Sequence, residues 1–200
     1  MGIRLWLRPR QTGEPGAFTG PLTVEPIPRF TSLPACEEDG LTFADNAREK
    51  ALHYSRFADG LVLADDSGLE VDALRGAPGI KSRRFAGPVA TDAENNAKLL
   101  TVLGAVPPAK RMARFVCELV LARRGEFLAQ FRGVAEGRIL NAPRGKGGFG
   151  YDPLFLDPES DKTFAALSPE EKLARSHRGR ALRALLDWLA IRAATVRERA

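Results

Sequence analysis

An α/β fold is predicted from three observations. Phe43, Ala47, Ala51, Tyr54 and Phe57 recur at three- and four-residue steps, the period of a helix with one apolar face. The short apolar run Leu61-Val62-Leu63-Ala64 follows at once between Gly60 and Asp65, the signature of a buried strand. A β-rich stretch, Arg114 to Ala122, then reverses through Arg123-Arg124-Gly125-Glu126 into Phe127 to Arg132, so helices alternate with strands that need a common sheet.

Taken in order, Gly2 to Pro28 is rich in Gly and Pro and shows neither helical nor strand periodicity. The helix from Phe43 ends before Gly60 and is expected to pack on a sheet. The strand that follows is expected to deliver Asp65-Asp66-Ser67-Gly68 into a loop, where α/β folds commonly place chemistry. Asp92 to Leu103 is a second predicted helix, stopped by Gly104 and Pro107-Pro108. The hairpin of Arg114 to Arg132 comes next, with Phe115, Cys117, Leu119 and Leu121 on one face. Ser168-Pro169-Glu170-Glu171 combines an N-cap Ser, Pro at the first helical position and Glu at the third, which predicts a capping box. Ala181, Leu182, Leu185, Leu186 and Leu189 form the apolar stripe of a C-terminal helix that closes the core.

The chain has 200 residues, 44% of them apolar and 28% charged, enough to bury a core as one domain over 1–200. No stretch approaches the roughly 20 apolar residues needed to cross a bilayer, and Met1 to Leu7 lacks an apolar leader core, so a cytoplasmic protein without membrane contact is expected. Cys36 and Cys117 have no partners at metal-ligand spacing, so neither a zinc site nor a disulfide framework is indicated. The net charge of +5 suits polyanions, but no zinc finger, RNA-recognition signature or basic heptad accompanies it; a solvated Arg-rich surface is favoured over a nucleic-acid module.

Three constellations can carry chemistry. Glu37-Glu38 and Asp65-Asp66 are separated by one helix and one strand, and their oxygens suit a hard cation such as Mg²⁺; taken alone, such pairs more often belong to solvated loops or helix caps. Gly145 to Asp152 places four glycines in six positions, which permits positive φ and close backbone approach to an anion or a base. It has no Gly-Lys-Ser/Thr ending, so a P-loop is excluded, and a plain hairpin stands beside the ligand-binding reading. Phe149 and Tyr151, expected to be exposed, tilt it toward a stacking platform. Lys172 with Ser176-His177-Arg178 forms a donor cluster suited to phosphate or a carbonyl oxygen. His53 is expected to be structural.

The order of these motifs is similar to that of the inosine triphosphate pyrophosphatase family. The residues that carry the resemblance are Leu41-Thr42-Phe43 with Asn46-Ala47 and Lys50-Ala51, the run Ala64 to Gly79, Ser82 to Gly87, Phe149-Gly150-Tyr151-Asp152-Pro153 and Ser176-His177-Arg178. It covers Val24 to Leu189. It implies an elongated α/β fold with a mixed sheet flanked by helices, two lobes with the active site in a cleft between them, and a homodimer. It also implies hydrolysis of ITP, dITP and XTP, non-standard purine nucleoside triphosphates, to the monophosphate and pyrophosphate with Mg²⁺ as cofactor.

By the same resemblance Asp66 is the general base and a metal ligand, Glu38 its Mg²⁺ partner, and Asp65 and Glu37 support them. Ser67 touches the nucleotide near the chemistry. Phe149, Gly150, Tyr151 and Asp152 hold the base, with Phe149 stacking on it; Lys172 binds the nucleotide, and His177 and Arg178 address the 6-keto edge. A donor aimed there gains a hydrogen bond from a keto purine and meets another donor in ATP. The chain departs from the family before Val24: members begin with a strand and a Ser/Thr-x-Asn-x-x-Lys phosphate loop, and residues 1–23 have neither motif. Met1 to Gly20 therefore reads as out-of-frame or mis-started translation. A chain truly carrying it is expected to lack its first strand and a main phosphate ligand, the alternative being a catalytically impaired nucleotide-binding relative.

Overall fold

A computed structural model of the chain describes residues 4–8 and 23–197. The strands are β1 (Arg4–Arg8), β2 (Thr23–Pro26), β3 (Leu61–Val71), β4 (Met112–Arg123), β5 (Glu126–Ile139), β6 (Phe155–Asp157) and β7 (Lys162–Thr163), and the α-helices are α1 (Phe43–Tyr54), α2 (Asp92–Val102), α3 (Pro169–Arg175) and α4 (His177–Arg197). The strands form one sheet in the order β2-β1-β3-β4-β5-β6-β7. β1 pairs antiparallel with both β2 and β3, with Trp6 opposite Glu25 on one side and Val62 on the other. β6 is likewise antiparallel to β5 and β7.

The chain divides into two compact units, consistent with the two lobes expected. One comprises Ser67–Cys117 and Gly133–Arg180; the other comprises Glu118–Arg132 with the segments that end at Asp66 and begin at Ala181. In the first, Phe115, Phe155 and Phe164 pack with Leu69, Val71, Leu99 and Leu154 into a core whose aromatic pairs lie 4.6 to 5.7 Å apart. In the second, Ala47 and Ala51 of α1 meet Ala64, Val120 and Ala122, small residues that let helix and sheet approach closely.

Four expectations are corrected. Residues Arg4–Arg8 do form a strand, paired with β2 and β3; the apolar run Leu5-Trp6-Leu7 is too short to stand out in its Gly- and Pro-rich surroundings. The part of the atypical segment where a phosphate loop was sought, 9–22, lies outside the described residues. Asp65, Asp66, Ser67 and Gly68 are not in a loop: β3 runs straight through them, past the end of its pairing with β1 at Ala64 and with β4 as its other neighbour in the sheet. Phe57 and Leu186 leave the apolar faces assigned to them and are 45% and 47% exposed. The hairpin is longer than its apolar pattern suggested, and it turns through Arg124 and Gly125, both at positive φ, which matches the twist of the flanking strands.

Candidate active site

Helix α1 starts from a capping box, with Thr42 accepting from the Asp45 N–H and Asp45 from the Thr42 N–H. Its buried stripe is Phe43, Asn46, Ala47, Lys50, Ala51 and Tyr54, so two polar residues one turn apart are carried inward with the apolar ones. Lys50, at 1% side-chain exposure, donates to Asp66 Oδ1 at 2.7 Å and lies 3.5 Å from Glu38 Oε2. Asn46 Nδ2 donates to Asp66 Oδ2 at 3.3 Å. Both oxygens of Asp66 are therefore held from α1, and a buried ammonium is compensated by two carboxylates, the condition for burying charge at tolerable cost.

Burial raises the Asp66 pKa from its ordinary value, opposed by the Lys50 charge and by hydrogen bonds from Lys50 and Asn46, and reinforced by Glu38. Asn46 and Lys50 belong to a motif that carries the family resemblance, without a role assigned to them by it. Their signal was present as two polar residues at i and i+4 on an otherwise apolar face. Of the supporting carboxylates, Asp65 is fully buried and, one residue along β3 from Asp66, projects to the opposite face of the strand; Glu37 is exposed. Ser67 follows Asp66 in β3 and is half-buried.

The residues fit a hard divalent cation on one observation: Glu38 and Asp66, oxygen donors from different elements, already converge on a single positive charge. Among the described residues no group of three or more His, Cys, Asp or Glu side chains is arranged to hold a metal. Two carboxylates suffice for Mg²⁺, which binds through one or two of them together with substrate phosphates.

The glycine-rich loop and the Lys172 cluster come together in the unit built on Phe115. Asp152, buried, accepts the Phe149 N–H at 2.7 Å through Oδ2, and the same oxygen pairs with Lys172 Nζ. Gly148 at φ 74° lets Asp152 fold back against it, where a Cβ would collide. Phe149 is 61% exposed, with the Lys172 ammonium 4.5 Å and the Arg178 guanidinium 5.4 Å from its ring centre. Tyr151 is a correction: instead of joining an exposed platform it is buried in the core and donates its hydroxyl to the Ser82 carbonyl at 2.8 Å. Its pKa is raised by burial and by the Asp92 charge, so it stays a neutral donor.

Lys172 sits on α3, behind the predicted Ser168–Glu171 capping box, and Ser176 closes that helix and opens α4 by accepting the Gly179 N–H at 3.1 Å. His177 is buried and stacked on Phe115, centroids 4.8 Å apart at 11°. Burial first, then the Arg178 and Lys172 charges, hold its pKa well below the usual histidine range, so the ring is neutral. Its Nδ1 is buried and has no hydrogen-bond partner among the described residues, an exception that calls for a ligand or water. His53 is structural as expected, with Nε2 2.9 Å from the Pro34 carbonyl and the ring edge-on to Tyr54.

With this geometry in place, comparison with known proteins is informative. A family model described as the Ham1 family matches residues 14–188. The dITP/XTP pyrophosphatase of Desulforamulus reducens is 51% identical over 168 residues, 84% of this chain and 82% of that protein. The dITP/XTP pyrophosphatase of Exiguobacterium sibiricum is 45% identical over 188 residues, 92% and 95% of the two chains. A solved HAM1 protein from Coxiella burnetii shares 46% identity and superposes with a TM-score of 0.75 over 80% of this chain and 82% of its own.

Proposed function

The chain belongs to the Ham1 family, and from that premise we infer that it hydrolyses non-standard purine nucleoside triphosphates (ITP, dITP, XTP) to the monophosphate and pyrophosphate. It is a hydrolase of phosphoric anhydride bonds, and the names of its relatives lend no support to the alternative of an impaired binder. We propose Asp66 as the general base, Glu38 and Asp66 as the Mg²⁺ ligands, and a homodimer in the cytoplasm, as the resemblance implies. Bound Mg²⁺ would neutralise triphosphate charge and favour a reactive water.

The observation that carries the mechanism is the Asp66 carboxylate, pinned at both oxygens by Lys50 and Asn46 and raised in pKa by burial. A base fixed in place and raised toward neutrality is suited to proton removal. Asp66 takes one proton from a water whose oxygen bonds to the α-phosphorus; the bond from that phosphorus to the α,β-bridging oxygen breaks, and pyrophosphate leaves with it. Lys50 offsets the carboxylate charge that the reaction consumes and restores. At the base, Phe149 stacks and Lys172 and Arg178 supply positive charge, while Ser67 contacts the nucleotide near the chemistry. The neutral His177, with Nδ1 protonated, donates to a 6-keto oxygen and confronts the 6-amino group of ATP with a second donor.

The test is pyrophosphate release from ITP, XTP, ATP and GTP with and without Mg²⁺, beside Asp66→Asn. Metal-dependent turnover of ITP and XTP, small for ATP and lost in the variant, is expected. A folded chain that turns over none of them, or an active Asp66→Asn, overturns the reading.

A further inference from the structure

The first two turns of α2 carry polar contacts that its sequence presents as ordinary helix surface. Asp92 Oδ2 accepts the Gly150 N–H at 2.6 Å, and Asn96 Nδ2 donates to the Gly150 carbonyl at 2.7 Å and to the Asp92 carbonyl at 2.7 Å. Both peptide groups flanking the Gly150 α-carbon are thus gripped by one helix, across more than fifty residues of sequence. Gly150 needs the grip: at φ 61° it is in the left-handed region, where the chain passes from the exposed Phe149 to the buried Tyr151.

The gripping turn is itself fixed. Thr91 and Glu94 form a capping box, and the buried Asn95 accepts the Ala86 N–H at 2.8 Å while donating to the Arg83 carbonyl at 3.0 Å. The loop is held from its other side by Asp152, which takes the Phe149 N–H. Between these two anchors Phe149 has few backbone freedoms left, yet its ring remains open to a ligand. An acidic residue in a first helical turn also has a bland reading, favourable interaction with the helix dipole. That reading accounts neither for the aim of Asp92 at Gly150 nor for the matching donor from Asn96.

Resting on the reading of Phe149 as the base platform, we propose that Asp92 and Asn96 are positioning residues for the nucleobase, setting the Phe149 ring through the two peptides of Gly150. A platform set in advance does not have to be ordered when the base arrives, so the effect falls on base affinity and not on the hydrolytic step.

The experiment uses the full chain with Asp92→Ala, Asp92→Asn and Asn96→Ala. It measures kcat and KM for XTP and dITP, the Kd of xanthosine monophosphate, and hydrogen exchange at the Gly150 amide. The two alanine variants are expected to raise KM and Kd about tenfold, the loss of one good hydrogen bond, with kcat within about twofold. Gly150 should exchange faster in Asp92→Ala, and Asp92→Asn, which keeps an acceptor oxygen, should stay near the parent on every measure. Unchanged affinity in both alanine variants, a fall in kcat alone, or unaltered Gly150 exchange in Asp92→Ala overturns the proposal and leaves the function intact. A parent protein that neither hydrolyses XTP nor binds the monophosphate overturns the underlying reading and this one with it.

Discussion

The Lys50 ammonium serves two carboxylates from a position almost without solvent, 2.7 Å from Asp66 and 3.5 Å from Glu38. Of the influences on Asp66, the Lys50 charge is the largest that lowers its pKa. Lys50→Met leaves burial and Glu38 both favouring the protonated acid, so the acid limb of the pH–rate profile should move to higher pH, and kcat/KM at neutral pH should fall by at least about a hundredfold. A profile whose acid limb stays in place would show that Asp66 is not the group titrating there. His177 gives a prediction of opposite sense. Its folded pKa is depressed, so its stabilising contribution is complete above the unfolded value of about 6.5 and is lost as pH falls through that value toward the folded one, at no more than about 1.4 kcal/mol per pH unit. Denaturant titrations from pH 7.5 to 5 should show the fall in the parent and a flatter profile in His177→Gln. These two side chains also mark what was legible at this scale. His177 was readable because it sits in a short run of donors, whereas Lys50 on an apolar face reads as a solvated edge until Asp66 is seen opposite it.

At the scale of elements, the junction of α3 and α4 illustrates what a helix boundary can demand. The Ser168 capping box was legible from four residues because capping is local chemistry, and the structure realises both of its hydrogen bonds. The requirement at Gly179 was not legible, because it is set by the Leu173 carbonyl, into which any Cβ at Gly179 would run. Gly179→Ala is therefore expected to cost about 2–3 kcal/mol by overpacking and to lower the melting temperature by roughly 5–10 °C, read by calorimetry. A change below about 2 °C would mean that the junction yields. The same division explains the strands. Leu61 to Ala64 announced β3 by its apolar run, but its continuation through Asp65, Asp66 and Ser67 depends on pairing with other strands, which composition does not encode. The contacts of Asp92 and Asn96 fall on the unreadable side for the same reason: their partner is a backbone more than fifty residues away.

For the whole molecule, the alternation of helices and strands and the ordered motifs made the fold class and family readable, while the strand at Arg4–Arg8 was hidden by the turn-forming residues around it. The net charge of +5 agrees with a polyanionic substrate, and among the described residues no helix is long and apolar enough to cross a membrane. Because the Lys50 ammonium already offsets one of the two carboxylate charges of Glu38 and Asp66, the fold is expected to stand without a metal. Chelation with EDTA should abolish pyrophosphate release and shift the melting temperature of the nucleotide-free protein by less than about 1 °C; a fall of several degrees would make the metal part of the fold. The burial of Lys50 also bears on covalent chemistry from outside. An amine-acylating reagent modifies exposed lysines of the native protein freely but reaches this amine only when the surrounding structure opens, so the time course of its acylation reads out the opening rate of the structure around α1 and β3.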